Sequence, residues 1–322
     1  MTAVIEDARP DQRGRSRPGV RPALAVLVAA AVGVLLFRQR VALDAGADGL
    51  AHADLRWLAA AAAGTVLMWT AGTVAAAGSI PCRIPLLRLF AVQVGGTFAN
   101  HVLPAGSGGI TVNVRFLRRC GLSRPAAFGA VGLNMLAGVV GHTALLVGAV
   151  VLAPRSLAVY PHGAPPGWTL LALTAAVALV ALAGWLGRGR WLPALRRLRD
   201  QLAELAVVAR TPTRAAQLWI GSVAAPVLHC AVLFAVLHAV GGTVGLLPVT
   251  IAYLLASSAS ALLPSPGGFG SLDVALVAAL VAVGQPATVA LAAVLAYRLI
   301  TVWIPLLPGA CVLAVLIRRK VV

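Results

Sequence analysis

The sequence predicts an all-α integral membrane protein, a polytopic helical bundle with two opposed Gly/Pro-broken re-entrant hairpins in an inverted repeat. Three observations carry that expectation. Of 322 residues, 60% are hydrophobic and 11% charged, and mean hydropathy is +0.92, more apolar surface than a water-soluble domain needs. Apolar runs of span length alternate with arginine-rich loops. Two runs also break at related phrases, Leu103-Pro104-Ala105-Gly106-Ser107-Gly108-Gly109 and Leu263-Pro264-Ser265-Pro266-Gly267-Gly268. Proline lacks an amide hydrogen and glycine has little propensity to hold a helix. Backbone freed at membrane depth is tolerated where it is buried in protein or lines a wet cavity, and such breaks mark substrate sites in transporters.

The elements follow in order. Residues 1–21 hold Arg9, Arg13, Arg15, Arg17 and Arg21 and read as a disordered cytoplasmic tail; residues 22–322 read as a single transmembrane domain. The run Pro22–Phe37 ends in Arg38-Gln39-Arg40 without a small-residue cleavage site, so it is an uncleaved first span. The second span is about Leu55–Gly78, rich in small residues that permit close packing. An apolar arm, Leu89–Leu103, leads to the first break, and a return arm reaches about Leu117, too short to cross a core of roughly 30 Å. A hairpin that enters and leaves by the arginine-rich face fits both arms. The third span is about Ala126–Leu152 and the fourth Trp168–Leu186.

In the segment 188–214, Leu195, Leu198, Leu202, Leu205 and Ala209 recur at helical steps opposite Arg196, Arg197 and Arg199. This predicts an amphipathic cytoplasmic helix, lying on the anionic leaflet or folded back on the protein. The fifth span is about Ala215–Val240. The second hairpin has arms Val249–Leu262 and Val274–Val283, and the last span is about Pro286–Leu316.

Charge sets the orientation. On this layout only Arg38, Arg40, Arg56 and Arg155 of the 26 basic residues fall outside, and Arg298 lies within the membrane. The rest face the cytoplasm, so both termini lie there and the protein is a multi-pass component of the cell membrane. The two sets of span, hairpin and span, about 55–152 and 215–316, then run in mirror orientation, as an inverted-topology repeat does.

Asp273 and Arg298 are the clearly charged residues at depth. A lone charge there costs at least about 2.5–3.5 kcal/mol on insertion scales, so a direct or water-bridged pair is expected. Arg298 would offer its planar fork to an anionic head group, with Asp273 as gate or counter-charge; the bland reading is a clamp between hairpin and helix. Asn100 and His101 adjoin the first tip and complete the expected substrate-binding set. Pro104, Gly106, Gly108, Gly109, Pro264, Pro266, Gly267, Gly268 and Gly270 are the expected hinges.

Asn113, Asn134, His142 and His229 read as interhelical hydrogen-bonding groups or cavity lining, and Ser257, Ser258, Ser260 and Ser265 as lining or packing residues. The histidines lack the HxxxH or HExxH spacing of a metal site, and Cys82, Cys120, Cys230 and Cys311 lack ligand or disulfide spacing. Neither a metal nor a cofactor is expected. No phosphate-binding GxxxxGK[ST] loop is present. The net charge of +17 is explained by the positive-inside rule, with no basic groove of stacking aromatics to suggest nucleic acid. Transport would therefore run downhill, couple to an ion gradient or depend on a partner.

Three ordered motifs resemble a known family. Ala99-Asn100-His101-Val102-Leu103-Pro104-Ala105-Gly106-Ser107-Gly108-Gly109, with Val114-Arg115-Phe116-Leu117 and Cys120-Gly121, is similar to the first signature of the lysylphosphatidylglycerol synthase transmembrane (flippase-like) family. Leu263 to Asp273 resembles the second, and Tyr297-Arg298-Leu299 with Trp303-Ile304-Pro305 and Pro308-Gly309 the last helix. The resemblance implies a relative of the flippase half of the multiple peptide resistance factor, which moves an aminoacylated phospholipid between leaflets. This chain has Asp273 where the family usually has Glu, and Thr111 and Gly132–Asn134 where many members are charged. It has no aminoacyl-transferase domain, so lysyl transfer, and enzyme activity generally, is not expected. The expected function is translocation of an anionic phospholipid or lipid-linked glycan, with membrane lipids as partners. The alternatives are a non-transporting scaffold for a glycosyltransferase or lipid-modifying enzyme, and an intramembrane enzyme, which would need a metal or a nucleophile–base pair.

Overall fold

The computed structural model describes residues 53–103, 107–152, 211–261 and 270–322. The tail, the first and fourth spans, most of the amphipathic segment, and Pro104, Gly106, Pro264, Pro266, Gly267 and Gly268 lie outside the described residues.

The described chain is helical throughout. Helix α1, Leu55–Ser79, starts where the Asp54 side chain accepts the Arg56 N–H at 2.8 Å, a cap for a donor with no partner in the helix. Pro85 lets α2 begin at Leu86, three residues earlier than the sequence predicts, and α2 runs to Val102. Then come α3 (Ser107–Arg119), α4 (Arg124–Leu152), α5 (Pro212–Ala239), α6 (Leu246–Ala261) and α7 (Ser271–Ala282). The last span is α8 (Ala287–Arg298), a π-helical turn at Leu299–Trp303, and α9 (Ile304–Arg318). Four helical stretches are long and apolar enough to cross a membrane: α1, α4, α5 and the continuous Ala287–Arg318.

The π turn has a local cause. Pro305 cannot donate to the carbonyl one turn back, and the Ile304 N–H bonds instead to Leu299, five residues earlier. Thr301 Oγ1 donates to the Tyr297 carbonyl at 2.7 Å, adding a partner at the widened turn.

Helices α1 and α5 run antiparallel in extensive contact. The Asp54 N–H bonds the Ala239 carbonyl at 3.0 Å at one end, and Arg214 Nη1 donates to the Ile80 carbonyl at the other. Between them the backbones touch. A Cβ on Gly221 would lie 2.4 Å from the Ala75 nitrogen, and one on Gly78 2.3 Å from that of Leu218. Small residues let membrane helices approach this closely, gaining dispersion contacts that lipid tails would otherwise supply.

Helix α2 packs on α3 and against α9, where Gly309 meets Val94 and Phe98. Helix α6 packs on α7 and α5, and against α4, where His142 bonds Ser258 and the Leu254 carbonyl. Two apolar cores result. One centres on Leu233, Leu237, Leu254, Leu276 and Leu280, the other on Leu89, Val92, Phe116 and Leu117. Large apolar side chains such as Leu136, Val139, Ile220, Val274 and Leu307 face outward, as a lipid-facing surface requires.

Candidate functional site

The charged centre is built at the start of α7. Gly270 precedes the helix with φ +88°, a conformation that costs glycine little because it has no Cβ. From the first turn, Asp273 reaches back and accepts the Gly270 N–H at 2.9 Å through Oδ2. This fixes the carboxylate rotamer and aims Oδ1 at Arg298, whose Nε donates to it. The Arg298 side chain is 9% exposed and that of Asp273 27%. The pair is thus sunk at its cationic end and open at its anionic end. It joins α7 to the last residue of α8, immediately before the π turn, a feature that recurs at functional sites.

Aromatic rings buttress the arginine. Tyr297, its neighbour, is buried, and its hydroxyl lies 2.7 Å from His229 Nδ1 of α5. His229 stacks on Tyr253 of α6 with centroids 5.5 Å apart and planes 10° apart, and Tyr253 meets Tyr297 edge-on at 6.2 Å. Three helices are therefore locked around the residue that precedes the charge. His101 Nδ1 bonds the Thr97 carbonyl at 2.8 Å; since a carbonyl only accepts, Nδ1 carries a proton.

Asn100 belongs to a different place. Its Oδ1 accepts the Gly109 N–H at 3.2 Å, tying α2 to the first turn of α3. It lines a cavity of about 320 Å³ with Gln93, Thr97, Asn113 and Asn134. Asn113 Nδ2 donates to the Gly109 carbonyl at 2.9 Å, and its Oδ1 accepts from Gln93 Nε2 at 3.1 Å. Of the four expected binding residues, the structure pairs Asp273 with Arg298, holds His101 against the Thr97 carbonyl of its own helix, and seats Asn100 in a neutral carboxamide pocket. Gly108 and Gly109 lie inside α3, and Gly108 is pressed on α2, where a Cβ would lie 2.0 Å from the Ala99 oxygen. At least that glycine serves close packing as well as any hinge.

Sequence reasoning missed Gln93 and undervalued Asn113. A signal existed: Asn113 stands nine residues after Pro104 and Asp273 nine after Pro264, so the carboxamide and the carboxylate occupy matching positions. Among the described residues, no three of His, Cys, Asp and Glu converge as metal ligands would. Ser257 and Ser258 donate to carbonyls one turn back, and both hydroxyls lie within hydrogen-bonding distance of His142.

A family model described as the lysylphosphatidylglycerol synthase TM region matches residues 23–309. Comparison with curated proteins returns no match.

Proposed function

Because this chain belongs to the lysylphosphatidylglycerol synthase TM region family, we propose that it is a flippase-like translocator of an anionic phospholipid or lipid-linked glycan in the cytoplasmic membrane. The observation that carries this reading is the Arg298–Asp273 pair, a mostly buried guanidinium held by a carboxylate on a separate short helix. An arriving phosphate competes with Asp273 for the planar donor fork of Arg298, the geometry that suits guanidinium to phosphate. When the phosphate engages, α7 is released from α8, and when it leaves, the pair re-forms. Binding energy is thereby coupled to the position of one short helix, the differential interaction any such switch requires.

The proposal includes two re-entrant hairpins, α2–α3 and α6–α7, related as inverted repeats. Several contacts support it. The leading spans α1 and α5 are antiparallel. Helices α2 and α3 pack on each other, with Gly108 against the Ala99 and Asn100 backbone, as the two arms of a hairpin should. Helix α2, of 17 residues, is about 25 Å long and α7, of 12, about 18 Å, both short of the roughly 30 Å core. The hairpins also exchange partners: α2 packs on the last span of the second half and α6 on that of the first. Val94 and Phe98, which receive Gly309, stand ten and six residues before Pro104. Leu254 and Ser258, which receive His142, stand ten and six before Pro264.

The test is exchange of labelled phosphatidylglycerol between leaflets of proteoliposomes. Arg298→Ala is expected to bring exchange to the protein-free rate while the helical circular-dichroism signal persists. Unchanged exchange removes the mechanism.

A further inference from the structure

We infer a second anionic-lipid site, a docking cleft for a phospholipid phosphate between the end of α3 and the start of α4. The cleft is about 570 Å³ and is lined by Arg115, Arg118, Arg119 and Arg124 with Ile110, Thr111, Val114 and Phe128. All four arginines are exposed. Among the described residues the acidic side chains are Asp54 and Asp273, and neither lines the cleft. The ion pair found among the described residues is Asp273–Arg298, which takes none of the four arginines.

Four guanidinium groups around one concavity repel each other and present many donors in planar forks, an arrangement stabilised by a shared phosphate. The cleft is also apolar on one side. Phe128 is 48% exposed and stands one turn into α4, beside Ile110 and Val114 of α3. A soluble anion has no use for such a wall, whereas a phospholipid has a phosphate for the arginines and acyl chains for the wall. The position agrees. Arg124 is the first residue of a 29-residue helix of span length, so the cleft opens where that helix meets the membrane surface. The site does not require translocation, and it shares no residue with the Arg298 centre. Through α3, which packs on α2, an occupied cleft steadies the first hairpin and makes the protein responsive to the anionic lipid content of its leaflet.

The experiment uses the purified full chain in neutral detergent. It is titrated with short-chain phosphatidylglycerol and, separately, phosphatidylcholine, with bound lipids counted by native mass spectrometry. Phosphatidylglycerol is expected to bind at least about tenfold more tightly, and Arg118→Gln with Arg119→Gln and Arg124→Gln to lose about fivefold per substitution. Arg298→Ala should keep the preference at the cleft. Equal binding of the two lipids, or an unchanged preference in the triple variant, overturns the inference. Glycerol phosphate and inorganic phosphate form the second arm. If either displaces the lipid at matched concentration, the cleft is a soluble-anion site and the lipid assignment falls. Should the triple variant not fold, wild-type chain irradiated with a diazirine phosphatidylglycerol decides the matter. Cross-links are expected within residues 110–128, and cross-links only elsewhere contradict the site.

Discussion

Asp273 answers two demands with two oxygens, one capping its own helix at Gly270 and the other holding Arg298. Replacing either charge leaves the other without its partner in a largely apolar setting, and cutting a buried pair costs more than the pair contributes net. Because the carboxylate is partly open to its surroundings, Arg298→Ala or Asp273→Ala is expected to lower stability by roughly 1–3 kcal/mol, read as a fall in melting temperature in detergent. The exchanged pair, Asp273→Arg with Arg298→Asp, separates clamp from site. It should recover part of that stability and none of the lipid exchange; recovery of both would reduce the pair to a clamp. These two residues were legible in the sequence because a charge stands out in an apolar run. Gln93 was not, since a neutral amide carries a smaller penalty at depth and no separate mark among its neighbours.

Among the described residues, the second, third, fifth and last predicted spans and the four shorter apolar arms were legible as helices, because membrane helices declare themselves by length and polarity. Their ends shifted by a few residues where a cap decides: Pro85 admits Leu86, and Thr211-Pro212 starts α5 three residues before the predicted Ala215. The π turn was not legible. Pro305 and Pro308 lie in a run apolar enough to read as one helix, and where the hydrogen-bond slip falls depends on Thr301 and on what packs around it. The α1–α5 contact gives a test at this scale. Gly221→Val puts atoms where Ala75 N and Ala71 O already stand, 2.4 and 2.6 Å from the new Cβ. The helices must separate, at roughly 1–3 kcal/mol or more. Thermal unfolding should drop accordingly, whereas Gly132→Ala, with open space around its Cβ, should leave it within about 0.5 kcal/mol.

For the molecule as a whole, the proposed function depends on an orientation and an inverted repeat that are themselves proposed, from charge and pairing more than from any motif. The expectation of a repeat came from the Leu-Pro phrases and the arginine-rich loops. The sequence did not reveal that α2 leans on α9 and α6 on α4, because such contacts follow from packing over long sequence separations. The native cysteines report sidedness. Cys82 and Cys120 are exposed outside the spans, Cys230 is buried, and Cys311 lies within α9. A membrane-impermeant maleimide should label Cys82 and Cys120 in inside-out vesicles, neither in right-side-out cells, and Cys230 and Cys311 in neither. Labelling of Cys82 and Cys120 from opposite faces would mean that α2 and α3 do not return to one side. The central claim, that a guanidinium paired with a carboxylate inside the membrane passes an anionic lipid across it, is tested most directly by phosphatidylglycerol exchange in proteoliposomes of wild type, Arg298→Lys and Arg298→Ala at equal protein content. Exchange is expected to be fast in wild type, at least about tenfold slower with lysine, which lacks the planar fork, and absent with alanine. Equal rates in all three, with all three folded, would contradict it.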